Sequence, residues 1–212
     1  MDPDADPVIA AIEEMLRTVP ADPMEQRGHL YDLGLGWVDH PVGRGGLGAP
    51  RGRQLDVVRR VQDQGVAVGT LAAGGGVSLA GPTMAVHGSS ELCARLLRRA
   101  FTGQDSWCQL FSEPGAGSDM AGLGCRAERD GDEWVVNGQK VWTTNAHLCN
   151  RAMLIARNDP AQPTHRGITY FALDLTSPGV DVRPLRQMTG QAEFSEVYLT
   201  DVRVPDADRI GD

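Results

Sequence analysis

Residues 109–119 read QLFSEPGAGSD, and this stretch joins two kinds of local structure. The apolar run at residues 107–111 predicts a short strand that leads into it. The residues that follow, from Ser112 through Pro114 to three small residues, predict a turn that leaves backbone N–H groups and hydroxyls unused. With the hydroxyls of Ser112 and Ser118, such a turn presents hydrogen-bond donors suited to the edge of a polar ring or to a phosphate.

A second segment, NGQKVWTTN at residues 137–145, complements the first. The Asn137–Gly138 pair predicts a hairpin turn that feeds a strand carrying Trp142, Thr143 and Thr144. An indole beside two hydroxyls is suited to stacking on a planar heterocycle while hydrogen-bonding its rim. Together the two segments predict one binding site for a flat, polar ligand.

The chain changes character near residue 105, which predicts two domains, 1–105 and 106–212. In the first, apolar residues recur at helical spacing. Ser89 or Ser90 is a candidate N-cap for the last of these helices, and Gly103 is its predicted end. The predicted helical faces are Ile9, Ile12, Leu16 and Val19; Leu30 and Leu33; Leu55, Val58 and Val61; and Leu92, Leu96, Leu97 and Ala100.

The second half has the spacing of strands and turns, with Asp130–Gly131 and Asn137–Gly138 as the two turn signals. Short antiparallel strands at this spacing are typical of a small barrel or sandwich, so the predicted fold class is α+β, with helices first. The predicted strands are 125–129, 133–136, 139–144, 152–156, 168–175, 180–185 and 195–204.

Charge and composition exclude several classes of function. The chain has 212 residues, a net charge of −8 and a pI near 5.1, which argues against a nucleic-acid partner because phosphate neutralisation needs a basic face. Residues 65–87 carry no charged side chain, but their many glycines and few large apolar residues argue against a membrane span.

Cysteine and histidine spacing gives no sign of a metal site. The four cysteines form no CxxC pair, so neither a zinc site nor a redox dithiol is indicated, and the five histidines fit no metal-ligand spacing. With no signal peptide recognised, the sequence predicts a protein of the reducing cytoplasm.

Several motifs, taken in order, resemble the acyl-CoA dehydrogenase family of flavoproteins. After QLFSEPGAGSD come DGDEWVVNGQKVWTTN, HRGITYFALD, SPGVDVRPL and FSEVYLTDVRVPDADRIGD, while LGLGWVDHPVGRGGLG at residues 33–48 is a looser match. The resemblance implies an N-terminal helical domain, a β-barrel or sandwich-like middle domain and a C-terminal helical bundle, with FAD between the middle domain and the bundle.

The resemblance also implies roles for residues. Gln109, Leu110, Phe111 and Ser112 are expected along the isoalloxazine, with Ser112 bonding its edge, while Gly117 and Ser118 approach the flavin pyrophosphate or the thioester ligand. Trp142 is expected to flank the ring and Thr144 to bond near its reactive nitrogen, with Thr143 between them. Glu113 is expected to be structural, bonding backbone in a tight turn.

The implied reaction is the α,β-dehydrogenation of an acyl-CoA thioester, with an electron-transfer flavoprotein-like acceptor. In the family the base comes from the bundle, so no catalytic residue is assigned here and the base is expected beyond Asp212. We therefore expect either a fragment or a short subunit in a homo- or hetero-oligomer, with an exposed apolar face.

Three alternatives remain at this point. The chain could be a catalytically silent subunit that supports a partner supplying the base. It could be a β-rich binding module without flavin. Within flavoenzymes, an oxidase or a hydroxylase on the same scaffold would carry the same motifs, because oxygen reactivity depends on solvent access and charge that the sequence does not reveal.

Overall fold

A computed structural model describes residues 6–68, 75–163 and 165–211 of the chain. Residues 69–74 of the uncharged stretch discussed above lie outside the described residues. The chain divides into two compact units, Met1–Gln104 and Asp105–Asp212.

The first unit is helical. Three of its helices begin with a side chain that accepts hydrogen bonds from the first turn, at Asp6, Asp22 and Ser89. The last helix ends at Gly103, whose φ of +82° suits a residue without Cβ, so the predicted cap and end of this helix are confirmed. The helices are α1 Pro7–Arg17, α2 Pro23–Asp32, α3 Gln54–Gln62, α4 Gly81–His87 and α5 Ser90–Thr102, with a π-helical turn at Gly76–Ala80 before α4.

Two predicted helical faces need correction. In α1 the buried residues are Val8, Ile12 and Met15, whereas Val19 lies beyond the end of the helix and is 39% exposed. In α3 the buried residues are Val57 and Val61, whereas Leu55 is 62% exposed. Val57 and Val61 are four residues apart and therefore lie on one face of the helix, with Val58 half-buried and Leu55 outside that face. An apolar residue at helical spacing therefore did not mark the core here.

The second unit is built on one mixed sheet of eight strands in the order β6-β7-β3-β2-β4-β5-β8, with β1 paired to β4. Both α and β elements are thus present in separate parts of the chain, and the predicted α+β class is confirmed. The strands are β1 Trp107–Leu110, β2 Arg126–Asp130, β3 Glu133–Thr144, β4 Arg151–Arg157, β5 Ile168–Asp174, β6 Val180–Leu185, β7 Phe194–Pro205 and β8 Arg209–Ile210.

Buried residues from several strands form one large core cluster in this unit. Trp134 of β3 meets Phe171 of β5 edge to face, with ring centroids 5.6 Å apart. Strands that are not neighbours in the sheet therefore contribute to the same cluster, which also includes Leu110, Leu154 and Val197. The first strand is parallel to β4, which the purely antiparallel prediction did not include.

The predicted hairpin at Asn137–Gly138 is wrong, while the one at Asp130–Gly131 is present between β2 and β3. β3 runs unbroken through Asn137–Gly138, with a register shift against β7 at this point. The Asn137 side chain bonds Asp201 of β7 twice, at 3.0 and 2.9 Å. This pairing across the two strands holds the chain in the sheet, so the Asn-Gly signal marks a bulge and not a turn.

The described residues contain neither a candidate membrane-spanning helix nor a candidate metal site. None of the helices there has the length and apolarity needed to cross a membrane. In the same part of the chain, no group of three or more His, Cys, Asp or Glu side chains is placed to hold a metal ion.

Candidate functional site

The structure brings the two sequence segments side by side. The backbone N–H of Val141 donates to the carbonyl oxygen of Ser112 at 2.9 Å. Lys140 Nζ donates to the carbonyl oxygen of Phe111 at 3.2 Å. The loop that follows β1 and the second half of β3 therefore form one surface, as the paired motifs predict.

A buried ion pair fixes this junction. Lys140 Nζ lies 2.8 Å from Glu113 Oε1, and the two side chains are 0% and 10% exposed. The same carboxylate accepts hydrogen bonds from the backbone N–H groups of Gly124 at 2.6 Å and Cys125 at 2.9 Å. Glu113 thus ties together both ends of the loop at residues 112–125, which is the structural role that the family resemblance implies for it.

Sequence reasoning missed Lys140. A lysine inside a strand ordinarily points to solvent, and nothing in the letters NGQKVWTTN marks this one as buried. The signal that could have found it is Glu113, a carboxylate expected to be structural and therefore in need of a buried cationic partner.

The ionisation of Glu113 makes the fold sensitive to acid. Burial disfavours its charged form, but the hydrogen bonds from Lys140 and from two backbone N–H groups outweigh burial and hold the pKa of Glu113 below its ordinary value of 4.5. A carboxyl group whose pKa is lower in the folded state stabilises the fold above its unfolded pKa. That contribution is lost as the pH falls through the lower, folded value.

We expect the free energy of unfolding to decrease as the pH is lowered below about 4.5, with Glu113 as one contributor. Urea denaturation followed by tryptophan fluorescence at a series of pH values measures this dependence. Glu113→Gln removes the titrating group, so its curve should be flatter than that of the parent over the same range. Equal slopes in the two proteins would contradict a lowered pKa for Glu113.

Trp142 occupies a strained and exposed position. It lies at a register shift between Lys140 and Thr143, with a φ of +59°, a region that large side chains rarely adopt. Its side chain is 63% exposed and contacts the edge of Phe194, with ring centroids 5.9 Å apart. A bulge that turns a large aromatic ring outward is a feature often found at binding sites.

The hydroxyls of both segments lack partners within the part of the chain that the structure describes. Ser112 is half-buried, and Ser118 and Thr144 are exposed. Thr143 is 1% exposed, and its buried Oγ1 makes no hydrogen bond to any described residue. Because buried polar groups are almost always paired, an orphaned hydroxyl next to an exposed indole indicates a place where a ligand can complete the bonding.

The remaining residues predicted for the site differ in accessibility. Gln109 and Phe111 are half-buried, and Phe111 contacts the edge of Tyr170 with ring centroids 5.6 Å apart. Leu110 has no exposed surface and belongs to the core, so it supports the strand and presents no side chain to a ligand. At Gly117 a Cβ would meet nothing within 4 Å, so packing within the chain does not require glycine there.

Comparison with known proteins agrees with this architecture. Residues 108–202 match the family model described as acyl-CoA dehydrogenase, middle domain. The chain is 48% identical over 132 residues to the acyl-CoA dehydrogenase FadE34 of Mycobacterium tuberculosis, covering 62% of this chain and 19% of that protein.

Solved structures of similar proteins also match the fold of this chain. The ChsE4–ChsE5 complex from Mycobacterium tuberculosis matches with a TM-score of 0.69 and 27% identity, covering 97% of this chain and 55% of that one. A glutaryl-CoA dehydrogenase from Mycobacterium smegmatis, solved in complex with FADH2, matches with a TM-score of 0.63 and 25% identity, covering all of this chain and 56% of that one.

The chain thus spans a fifth of the length of FadE34 and just over half of each of these two structures. The part that it does span carries the motif segments in family order, packed together by Lys140 and Glu113. Residues 108–202 of this chain match the middle domain of the acyl-CoA dehydrogenase family, the family that the name of FadE34 also gives.

Proposed function

We propose that this chain forms the flavin-binding part of an FAD-dependent acyl-CoA dehydrogenase, which catalyses the α,β-dehydrogenation of an acyl-CoA thioester. The observation that carries the proposal is the exposed indole of Trp142 next to Thr143, whose buried hydroxyl bonds no described residue, on a strand that is hydrogen-bonded to the loop of Ser112. This combination offers a stacking face and hydrogen bonds for the rim of a flat, polar ring.

The residues present fit FAD. Ser112 and Thr144 would donate hydrogen bonds to the ring edge, and Trp142 would flank the ring. Gly117 and Ser118, exposed on an open loop, would approach the pyrophosphate, with Ser118 also near the thioester ligand. When bound, the flavin would supply the hydride-accepting chemistry that no amino-acid side chain has.

The catalytic base is not assigned to this chain. The reaction needs a carboxylate that is free to take the α-proton, whereas Glu113 is held by Lys140 and two backbone N–H groups. Donors aimed at the thioester oxygen would lower the barrier by stabilising the charge that develops there. We therefore propose that a further segment or a partner subunit supplies the base, and that an electron-transfer flavoprotein-like acceptor removes the electrons.

A second candidate is a catalytically silent subunit that keeps the fold to support an active partner. This candidate is favoured by the ion pair between Glu113 and Lys140, because a carboxylate held in this way is not free to take a proton from a substrate. One of the similar structures is a complex of two named components, ChsE4 and ChsE5, which makes assembly with a different subunit a testable arrangement for this chain.

The visible absorption spectrum of the purified chain, desalted after incubation with FAD, tests the proposal. We expect a retained flavin band, and quenching of tryptophan fluorescence as the flavin approaches Trp142. Bleaching of that band on addition of an acyl-CoA, seen only when a candidate partner is present, would assign the base to the partner. A chain that is folded by circular dichroism but retains no flavin would overturn flavin binding by this part alone.

Gly117→Ala gives the sharpest variant for this test. A Cβ there meets nothing in the chain, so stability should be unchanged, but it would stand where the pyrophosphate approaches the backbone. Loss of one or two hydrogen bonds of about 1 kcal/mol each predicts a roughly tenfold weaker affinity for FAD. Gly52→Ala, also in open space but outside the two segments, is the control and should bind FAD normally.

A further inference from the structure

Asn137 stands in the local sequence in which an asparagine side chain reacts most readily with its own backbone. The chain contains four asparagines, and Asn137 is the one that precedes a glycine, whereas Ala146, Arg151 and Asp159 follow the other three. Because Gly138 has no Cβ, no side chain hinders its backbone nitrogen when that nitrogen attacks the side-chain carbonyl carbon of Asn137. The sequence therefore predicts deamidation at this pair, in which the amide group is lost as ammonia.

The structure restrains the Asn137 amide from this reaction. Asn137 Nδ2 donates to Asp201 Oδ1 at 3.0 Å, and Asn137 Oδ1 accepts from the backbone N–H of Asp201 at 2.9 Å. Both polar atoms of the amide are thus bonded to β7, whereas the attacking nitrogen of Gly138 belongs to β3. The torsion changes that close a ring with Gly138 therefore break these hydrogen bonds.

A bulge places Asp201 for this contact. The register between β3 and β7 shifts between Val136 and Gly138, where Asn137 lies opposite two residues of β7. Asp201 is one of the two and has a φ of +50°, a left-handed conformation that aspartate tolerates better than most residues. In this conformation its N–H and its carboxylate bond the same amide.

We propose that Asn137 is a site of deamidation and that its hydrogen bonds to Asp201 control the rate. The reaction is slow while both bonds are in place, and it proceeds from the conformation in which they have opened. Asp201 thus protects the part of β3 that leads into the candidate site.

The reaction balances with water as the only co-reactant. The Gly138 nitrogen attacks Asn137 Cγ, so that a C–N bond forms in a five-membered succinimide ring, the Cγ–Nδ2 bond breaks, and ammonia leaves with the Gly138 proton. Water then adds to one of the two ring carbonyls and a ring C–N bond breaks, which leaves aspartate or isoaspartate at position 137. In isoaspartate the main chain runs through Cγ and is longer by one methylene.

Either product would disturb β3. Aspartate has no Nδ2 donor, and it would place a second carboxylate against that of Asp201, where like charges on facing strands are destabilising. Isoaspartate lengthens the main chain next to Gly138, where even an added Cβ would lie 2.7 Å from Cys125 Cβ. Because β3 continues to Lys140, the modification would also displace the strand from the loop that Lys140 fixes.

Incubation of the purified chain at mildly alkaline pH, folded and in urea, tests the proposal. Tryptic peptide 130–140 contains no other asparagine, and fragmentation spectra distinguish Asn137 from Gln139. We expect deamidation of Asn137 to be at least about tenfold slower in the folded chain than in urea, because a hydrogen bond to a carboxylate must first break. Equal rates in the two states would overturn the proposal.

Two substitutions of Asp201 give the decisive comparison. Asp201→Gly suits the positive φ and removes the Oδ1 acceptor, so Asn137 should deamidate about tenfold faster than in the parent chain. Asp201→Asn keeps an oxygen acceptor on a residue that tolerates the left-handed backbone, and it should stay near the parent rate. Equal acceleration in both variants, or acceleration in neither, would contradict control by this hydrogen bond.

Urea denaturation of the same variants separates local opening from global unfolding. The unfolded fraction that it gives, multiplied by the deamidation rate in urea, is the rate expected if the whole unit must unfold first. We expect the rate in Asp201→Gly to exceed this value. A rate at or below it would assign the reaction to global unfolding and overturn local control by Asp201.

Discussion

Replacing Lys140 with methionine is expected to lower the free energy of unfolding by about 3–5 kcal/mol. Methionine has a similar length and shape, so the change removes the charge and leaves the packing volume almost unaltered. What remains is a carboxylate, Glu113, that is 10% exposed and has lost its cation. The carbonyl oxygen of Phe111 also loses its bond from Nζ.

The size of the effect follows from burial. Breaking a buried ion pair by removing one partner is costly, because the other charge stays out of water without compensation. Glu113 keeps its two backbone N–H bonds, so the expected response is a rise in the pKa of Glu113 together with loosening of the loop at residues 112–125.

Urea denaturation of Lys140→Met and of a surface control measures this prediction. Arg203 makes ion pairs of similar length, 2.9 Å to both Asp130 and Glu133, but its side chain is 55% exposed. Arg203→Met should therefore cost less than about 1 kcal/mol, since water screens exposed pairs. Equal losses for the two variants would mean that burial of Lys140 is not what makes it important.

A double variant tests the pairing itself. Glu113→Gln combined with Lys140→Met should be less destabilising than the sum of the two single changes, because neither leaves an unpaired charge once both are gone. Strictly additive losses would show that the two side chains act independently. In either case, flavin retention measured on the same proteins reports whether the loop geometry matters for binding.

Much of the second unit could be predicted because its strands follow simple rules. Alternation of apolar and polar residues located β6, and the Asp130–Gly131 pair located the β2–β3 hairpin. The end of α5 at Gly103 was predictable for a similar reason, since a left-handed residue is required there and glycine adopts that conformation at little cost. In each case the local sequence and the long-range packing favour the same structure.

The predictions from sequence failed at positions where long-range contacts override the local preference of the chain. Asn137–Gly138 is a strong turn signal, yet Asp201 on β7 captures the Asn137 side chain and keeps β3 extended. Lys140 was not singled out from the sequence, and it is buried because Glu113, distant in sequence, neutralises it. Trp142 was selected from the sequence as a site residue, but its left-handed backbone follows from the register shift and could not be deduced from composition.

The second large effect is expected from Gly138→Ala. A Cβ at this position would lie 2.7 Å from Cys125 Cβ and 2.8 Å from Cys125 Cα, which is closer than such atoms approach in proteins. Rotation of a side chain cannot relieve a clash with a Cα atom, so the backbones of β3 and of the residues entering β2 would have to separate. Overpacking of this kind costs roughly 1–3 kcal/mol, and we expect the upper end of that range.

Thermal and urea unfolding of Gly138→Ala measure the loss, and Gly115→Ala is the matched control. A Cβ at Gly115 meets nothing within 4 Å, so its stability should stay close to that of the parent. The clash also falls at Cys125, whose N–H bonds Glu113, so separation of the two backbones would disturb the Glu113–Lys140 pair. Gly138→Ala and Lys140→Met should therefore show a combined effect smaller than their sum, and full additivity would mean that the bulge at Gly138 and the buried ion pair stabilise the site independently.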